Sequence, residues 1–245
     1  MCRWIWLALN LTLLTPLHAG ADTACIDPGL LAHSVVSITR YFDEIERGTR
    51  PDLVGIQGTG WFRSPTALVT VEHVAVAMGL SMQDWKIIEI EDDADIQSVF
   101  ARIRQVAGGR SEKLAVLELQ TAISAARIVA IRMSPLVPED RVVTIAYPNH
   151  RSRSVAGRFV QYGDGNLAGA ALLELYEGNN RLVVDHGASG APVFDCEGQV
   201  AAVISNVITQ ILRTPFGDRR VSTAWGLPNV VSVPAQHLID FSKAQ

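Results

Sequence analysis

The sequence has almost no long apolar runs, few cysteines and no excess of basic charge, and each shortage excludes something. The one sustained apolar stretch, Trp4 to Leu17, is too short to span a bilayer comfortably and carries Pro16 near its end. With 21 Lys and Arg against 25 Asp and Glu, the formal charge is −4, which leaves no broad basic field for nucleic acid. Arg151-Ser152-Arg153 and Arg219-Arg220 are local clusters that read as solvated loop charge. Metal-ligand spacing is missing too: His33, His73, His150, His186 and His237 stand far apart, so no metal and no other cofactor is expected.

What is present begins at the N-terminus. Arg3, the apolar stretch and then Ala19-Gly20-Ala21 have the order of an export signal, cut after Ala21 or alternatively after Ala19. Residues 1–21 are therefore read as a signal peptide, with a secreted or periplasmic product and no membrane anchor after cleavage. A lipoprotein signal is rejected, because Asp22 stands where an aliphatic residue is needed before Cys25. Of three cysteines, Cys2 leaves with the signal, and an oxidising compartment favours pairing Cys25 with Cys196 over two separate thiols.

The remaining chain, 48% hydrophobic overall, is long enough for one large domain or two compact halves. Short β segments separated by Gly, Pro, Asn and Asp fill it. The first half shows Leu31–Arg40, Val54–Arg63, Ala67–Val71, Trp85–Glu91, Val99–Val106 and Leu114–Leu119. The second shows Arg141–Ala146, Ser154–Tyr162, Ala171–Leu175, Arg181–Val184, Gln199–Ile204 and Ser222–Leu227. This spacing predicts an all-β barrel or sandwich. A helical turn is expected at Val74–Gly79 and a short C-terminal helix at Gln236–Ser242. Ile128–Pro138, with Pro135 and Pro138, marks the junction between halves 22–130 and 131–245.

Gly187-Ala188-Ser189-Gly190-Ala191-Pro192 has the composition of a nucleophile loop. Glycines around Ser189 allow a tight turn in which the Gly187 and Ser189 N–H groups converge on one point, as an oxyanion requires. Upstream, Gly58-Thr59-Gly60-Trp61-Phe62 precedes a strand ending in Thr70-Val71-Glu72-His73, which would set an imidazole at a barrel mouth.

These segments, with Leu114-Ala115-Val116-Leu117 and Val200–Ser205, resemble trypsin-like serine peptidases from about Val54 to Leu238, nearest the bacterial periplasmic Deg-type branch. The resemblance implies two six-stranded antiparallel Greek-key barrels with the active site between them, and a polypeptide substrate. It implies His73 as general base, Ser189 as nucleophile, and Gly187 and Ser189 as oxyanion hole; Ser205 falls where the family has a serine near the catalytic acid, and with Asn206 and Val207, which line the substrate strand, it is counted as substrate-binding. Val183, six residues before Ser189, falls in the specificity pocket and implies a small or medium apolar side chain before the scissile bond.

Two positions depart from the family pattern. Ala188 replaces the acid that binds a newly cut N-terminus in trypsin-like zymogens, as in the Deg-like branch. Lys113 stands where the catalytic Asp belongs, and a lysine there would oppose the imidazolium. Glu112 is the nearest substitute, though in an uninterrupted strand it would point away and would need a bulge or bend. Asp92, Asp93 and Asp95 form an acidic loop that is the other source of a carboxylate, and a bare Ser–His dyad is the remaining option. A catalytically weak member that binds peptides is the alternative function. An α/β-hydrolase with Ser189, Asp218 and His237 is disfavoured, since that fold needs a helix directly after its nucleophile.

Overall fold

The computed structural model describes residues 25–48, 51–92, 95–109, 112–176, 187–214 and 217–240. The expected signal peptide, the strand Arg181–Val184 and the pocket residue Val183 lie outside the described residues.

Strands β1 (Val35–Tyr41), β2 (Gly55–Ser64), β3 (Ala67–Val71), β4 (Lys86–Glu91), β5 (Ile96–Gly108) and β6 (Lys113–Leu119) close an antiparallel barrel in the order β1-β2-β3-β6-β5-β4. A second barrel follows, from β7 (Arg141–Ala146), β8 (Arg153–Tyr162), β9 (Ala171–Tyr176), β10 (Pro192–Asp195), β11 (Val200–Val207) and β14 (Val230–Pro234). Its order is β10-β11-β14-β9-β8-β7. Between β11 and β14, β12 (Thr209–Thr214) and β13 (Gly217–Ser222) form a separate antiparallel hairpin. The helices are short: α1 (Glu44–Arg47), α2 (Glu72–Ala77) and α3 (His237–Asp240).

Closure leaves no free edge in either barrel, so the inward side chains of each strand share one core. In the first barrel Ile38, Trp61, Phe62, Leu68, Ile88, Leu114 and Leu117 are all essentially inaccessible. Burying side chains of this kind stabilises by about 1.5–3 kcal/mol each. The cluster continues through Ile145, Tyr147, Phe194, Val200 and Val203 into the second barrel's wall, so the two barrels are packed against each other. Cys25 and Cys196 form a disulfide across a sequence separation of 171.

Several expected elements differ in detail. Leu31–Ser34 is not strand but the end of a 3-10 turn, Pro28–Ser34. Asp27 accepts from Gly29 N–H at 2.9 Å and Pro28 fixes the first dihedral, so the chain turns before it extends. Ser222–Leu227 is mostly loop. Gly226 has φ of 83°, Leu227 N–H closes a turn onto the Ala224 carbonyl, and the closing strand falls instead on the valines of β14.

Candidate active site

The Ser189 loop is built by its glycines and by strand β2. Gly187 and Gly190 have φ of 97° and 94°, where any side chain is strained. Space is equally restrictive: a Cβ on Gly190 would lie 2.0 Å from the Thr59 carbonyl oxygen, and one on Gly187 2.8 Å from that of Tyr147. The loop is tied down on both sides. Thr59 N–H donates to the Ser189 carbonyl at 2.9 Å, and Gly190 N–H to the Ile204 carbonyl at 2.8 Å. A strand, β10, follows the loop, so the helix that an α/β-hydrolase requires is not there.

His73 is the second residue of α2, which begins where β3 ends. Val74 and Ala75 are buried on the other side of this turn, and His73 is exposed. Desolvation by its surroundings lowers its pKa below the ordinary 6.5, and the charges of Glu112 and Glu72 oppose that shift without cancelling it.

Glu112 precedes β6 rather than lying in it, because pairing with β5 starts at Lys113 opposite Gly108. It therefore escapes the strand's alternation. Its Oε2 accepts from Ser205 Oγ, and its Oε1 accepts from Asn206 Nδ2 at 2.6 Å. Ser205 reaches it from a bulge in β11, where the register against β14 shifts between Ile204 and Asn206. Lys113 holds the sequence position of the missing acid but not its surroundings. Its Nζ lies 3.6 Å from Glu72 Oε2 with the side chain about half exposed.

Ser189 Oγ donates to the Ser205 carbonyl at 3.0 Å, so its hydroxyl points along the β11 edge in this state. Asn206 and Val207 continue that edge and are exposed. The structure thus gathers Ser189, Ser205, Asn206 and Glu112 into one hydrogen-bonded group, with the Glu112 charge acting on His73. The acidic loop belongs elsewhere. Asp92 sits 3.9 Å from His33 beside a small cavity walled by Val36, Phe62 and Ile90, with Asp95 on the same cavity; Asp93 lies outside the described residues. Of the residues an α/β-hydrolase would use, His237 starts α3 and Asp218 belongs to the β12–β13 hairpin. Among the described residues no group of His, Cys, Asp and Glu could hold a metal ion.

Two residues beside the Ser189 loop are given no role by the sequence, although Thr59 stands in the Gly58–Phe62 segment. Thr59 Oγ1 donates to the Gly187 carbonyl at 2.7 Å, and Gln57 Nε2 donates to the Tyr147 carbonyl at 2.7 Å. Both are partnerships between residues about 90 or more positions apart, which local pattern does not encode.

Residues 58–203 match the model of the trypsin-like peptidase domain. No curated protein matches the sequence. Among solved structures, the chain is similar to the active form of the Rv3671c protease of M. tuberculosis (TM-score 0.56, 18% identity, covering 89% of this chain and 86% of that one). It is also similar to an inactive form of the same protease (TM-score 0.54, 19% identity, 90% and 97% covered). At such identity these two speak for the shared double-barrel fold. With more than half of its length matched by the family model, and the two barrels in place, the chain belongs to the trypsin-like peptidase domain family.

Proposed function

We propose that the chain is an exported serine endopeptidase that forms an acyl-enzyme on Ser189, with His73 as general base and Glu112 as the acid behind it. A peptidase of this family is a hydrolase of polypeptides. The observation that carries the finer reading is the Glu112 carboxylate, held by Ser205 and Asn206 while its charge acts on the His73 ring. It supplies the negative group that Lys113 cannot, and Lys113 is itself matched by Glu72.

The reaction follows from these roles. The Ser189 hydroxyl turns from the Ser205 carbonyl to His73, which takes its proton as Oγ attacks the peptide carbonyl. The Gly187 and Ser189 N–H groups receive the oxyanion. Imidazolium, favoured by Glu112, then protonates the leaving amine, and water attacks the acyl-enzyme by the same route. Ser205, Asn206 and Val207 offer their β11 edge to the substrate backbone. Ala188 is fully buried and carries no acid for a new N-terminus, so activity needs no cleavage-generated ammonium there, as in the Deg-type branch. Residues 1–21 act as the export signal ahead of barrel halves 22–130 and 131–245. The Cys25–Cys196 bond fits an oxidising compartment.

A fluorophosphonate probe tests this directly. Wild type should be labelled and Ser189→Ala should not. Wild type that resists labelling under every condition would instead indicate a peptide-binding relative without turnover.

A further inference from the structure

Resting on that serine-peptidase reading, we propose that the Thr59 hydroxyl is a positioning group for the oxyanion site, holding the Gly187–Ser189 turn with its carbonyls away from the reacting carbon. Thr59 lies in β2 and is completely buried. Its side chain receives a hydrogen bond from Tyr147 N–H at 3.1 Å and donates one to the Gly187 carbonyl at 2.7 Å. The direction of both bonds is forced. A backbone N–H can only donate, so Thr59 Oγ1 accepts there and its single proton is left for Gly187.

The consequence lies in the count of carbonyls. Thr59 binds that of Gly187 through its hydroxyl and that of Ser189 through its N–H, and Ala191 N–H binds that of Ala188 at 3.0 Å. Each of these three carbonyls therefore has a protein donor, and none of the three is left to face a developing oxyanion. Of the three, only the bond to Gly187 depends on a side chain. Glycine resists reorientation of its peptide least, and at φ of 97° Gly187 is set by its surroundings rather than by its own sterics. Gln57 supports the arrangement from behind. Its Nε2 holds the Tyr147 carbonyl at 2.7 Å and also donates to Ser37 Oγ at 3.2 Å. Thr70 completes the frame by donating from Oγ1 to the Thr59 carbonyl at 2.8 Å.

Thr59→Val keeps the shape and removes the proton, and Thr59→Ser restores it. With a chromogenic peptide substrate, Thr59→Val should lose about 10–100-fold in kcat with KM within about 3-fold, and Thr59→Ser should stay within about 3-fold of wild type. Affinity for a peptide boronate, whose tetrahedral adduct occupies the oxyanion site, should fall in parallel with kcat/KM. Thr144→Val is the structural control: Thr144 is equally buried and its hydroxyl donates to the Pro192 carbonyl at 2.8 Å, so it should lose stability and keep kcat. If the valine variant does not fold, Thr59→Ala reads the same split. Unchanged kcat in Thr59→Val, no rescue by serine, or an equal loss in Thr144→Val overturns this inference alone. A wild type without activity overturns the serine-peptidase reading and this inference with it.

Discussion

Lys113 and Glu112 are adjacent in the chain yet face different electrostatic partners, and that separation governs what His73 can do. Lys113 is spent on Glu72 at 3.6 Å, whereas Glu112 is oriented by Ser205 and Asn206. Desolvation is the larger influence on His73 and holds its pKa below 6.5, so its neutral form persists to a lower pH than in free imidazole. The acid limb of kcat/KM in the free enzyme should accordingly fall below pH 6.5. Because Glu112 raises the His73 pKa, Glu112→Gln should move that limb lower still. It should also reduce kcat by about 10³–10⁴-fold, the scale seen when a triad carboxylate becomes an amide. Lys113→Met should change kcat/KM by less than about 3-fold, since its pair with Glu72 is an exposed one. A pH–rate series on the three proteins checks this. A limb that rises in Glu112→Gln, or a large gain in Lys113→Met, would remove Glu112 from its role.

Strands with uniform apolar patterning were legible before any coordinates: Ala67–Val71 and Arg141–Ala146 are observed with the expected bounds. The tight turn at Ser189 is legible as well, because it needs glycine on both sides of that residue, and both glycines have positive φ. Elements decided by long-range pairing were not. The hairpin β12–β13 lies outside both barrels, and β5 runs well past its apolar stretch because β4 and β6 pair along it. Glu174 makes the same point as a charge in an apolar strand. It is 2% exposed in β9, with its Oε2 receiving Arg158 Nε at 3.0 Å and Nη2 at 2.8 Å, and its Oε1 receiving Gly226 N–H at 2.8 Å. These bonds join β8, β9 and the loop before β14. Arg158→Met would take the cation from this buried carboxylate, leaving it the Gly226 N–H bond, and should destabilise by about 2–3 kcal/mol in a denaturant titration. Adding Glu174→Leu to it should restore most of that loss; if the double variant is no more stable than the single, the ion pair is not what holds this corner.

At the scale of the whole molecule the site is a seam. His73 and Glu112 belong to the first barrel, while Ser189, Ser205 and Asn206 belong to the second, so the proposed chemistry depends on how the two barrels meet. Much of that contact is apolar, through the core shared by Ile145, Tyr147, Phe194 and Val200, and it is crossed by polar ties such as Thr59 to Gly187. The Cys25–Cys196 bond adds a covalent constraint from the other side. It joins the segment leading into the 3-10 turn and β1 to the turn directly after β10, enclosing the first barrel and strands β7 to β10 of the second in one loop of separation 171. Closing a loop of that length removes about 5 kcal/mol of unfolded-state entropy in the chain model, and native bonds of this kind usually yield less. Replacing both cysteines by serine should therefore lower stability by about 2–4 kcal/mol, read from a denaturant titration as a lower midpoint with a somewhat steeper slope, because the unlinked unfolded chain exposes more surface. Activity under folding conditions should persist, because neither sulfur touches the Ser189 loop or His73. An unaltered midpoint would show that barrel packing alone fixes the seam. A folded variant without activity would show that the bond acts on the site and not only on the unfolded chain.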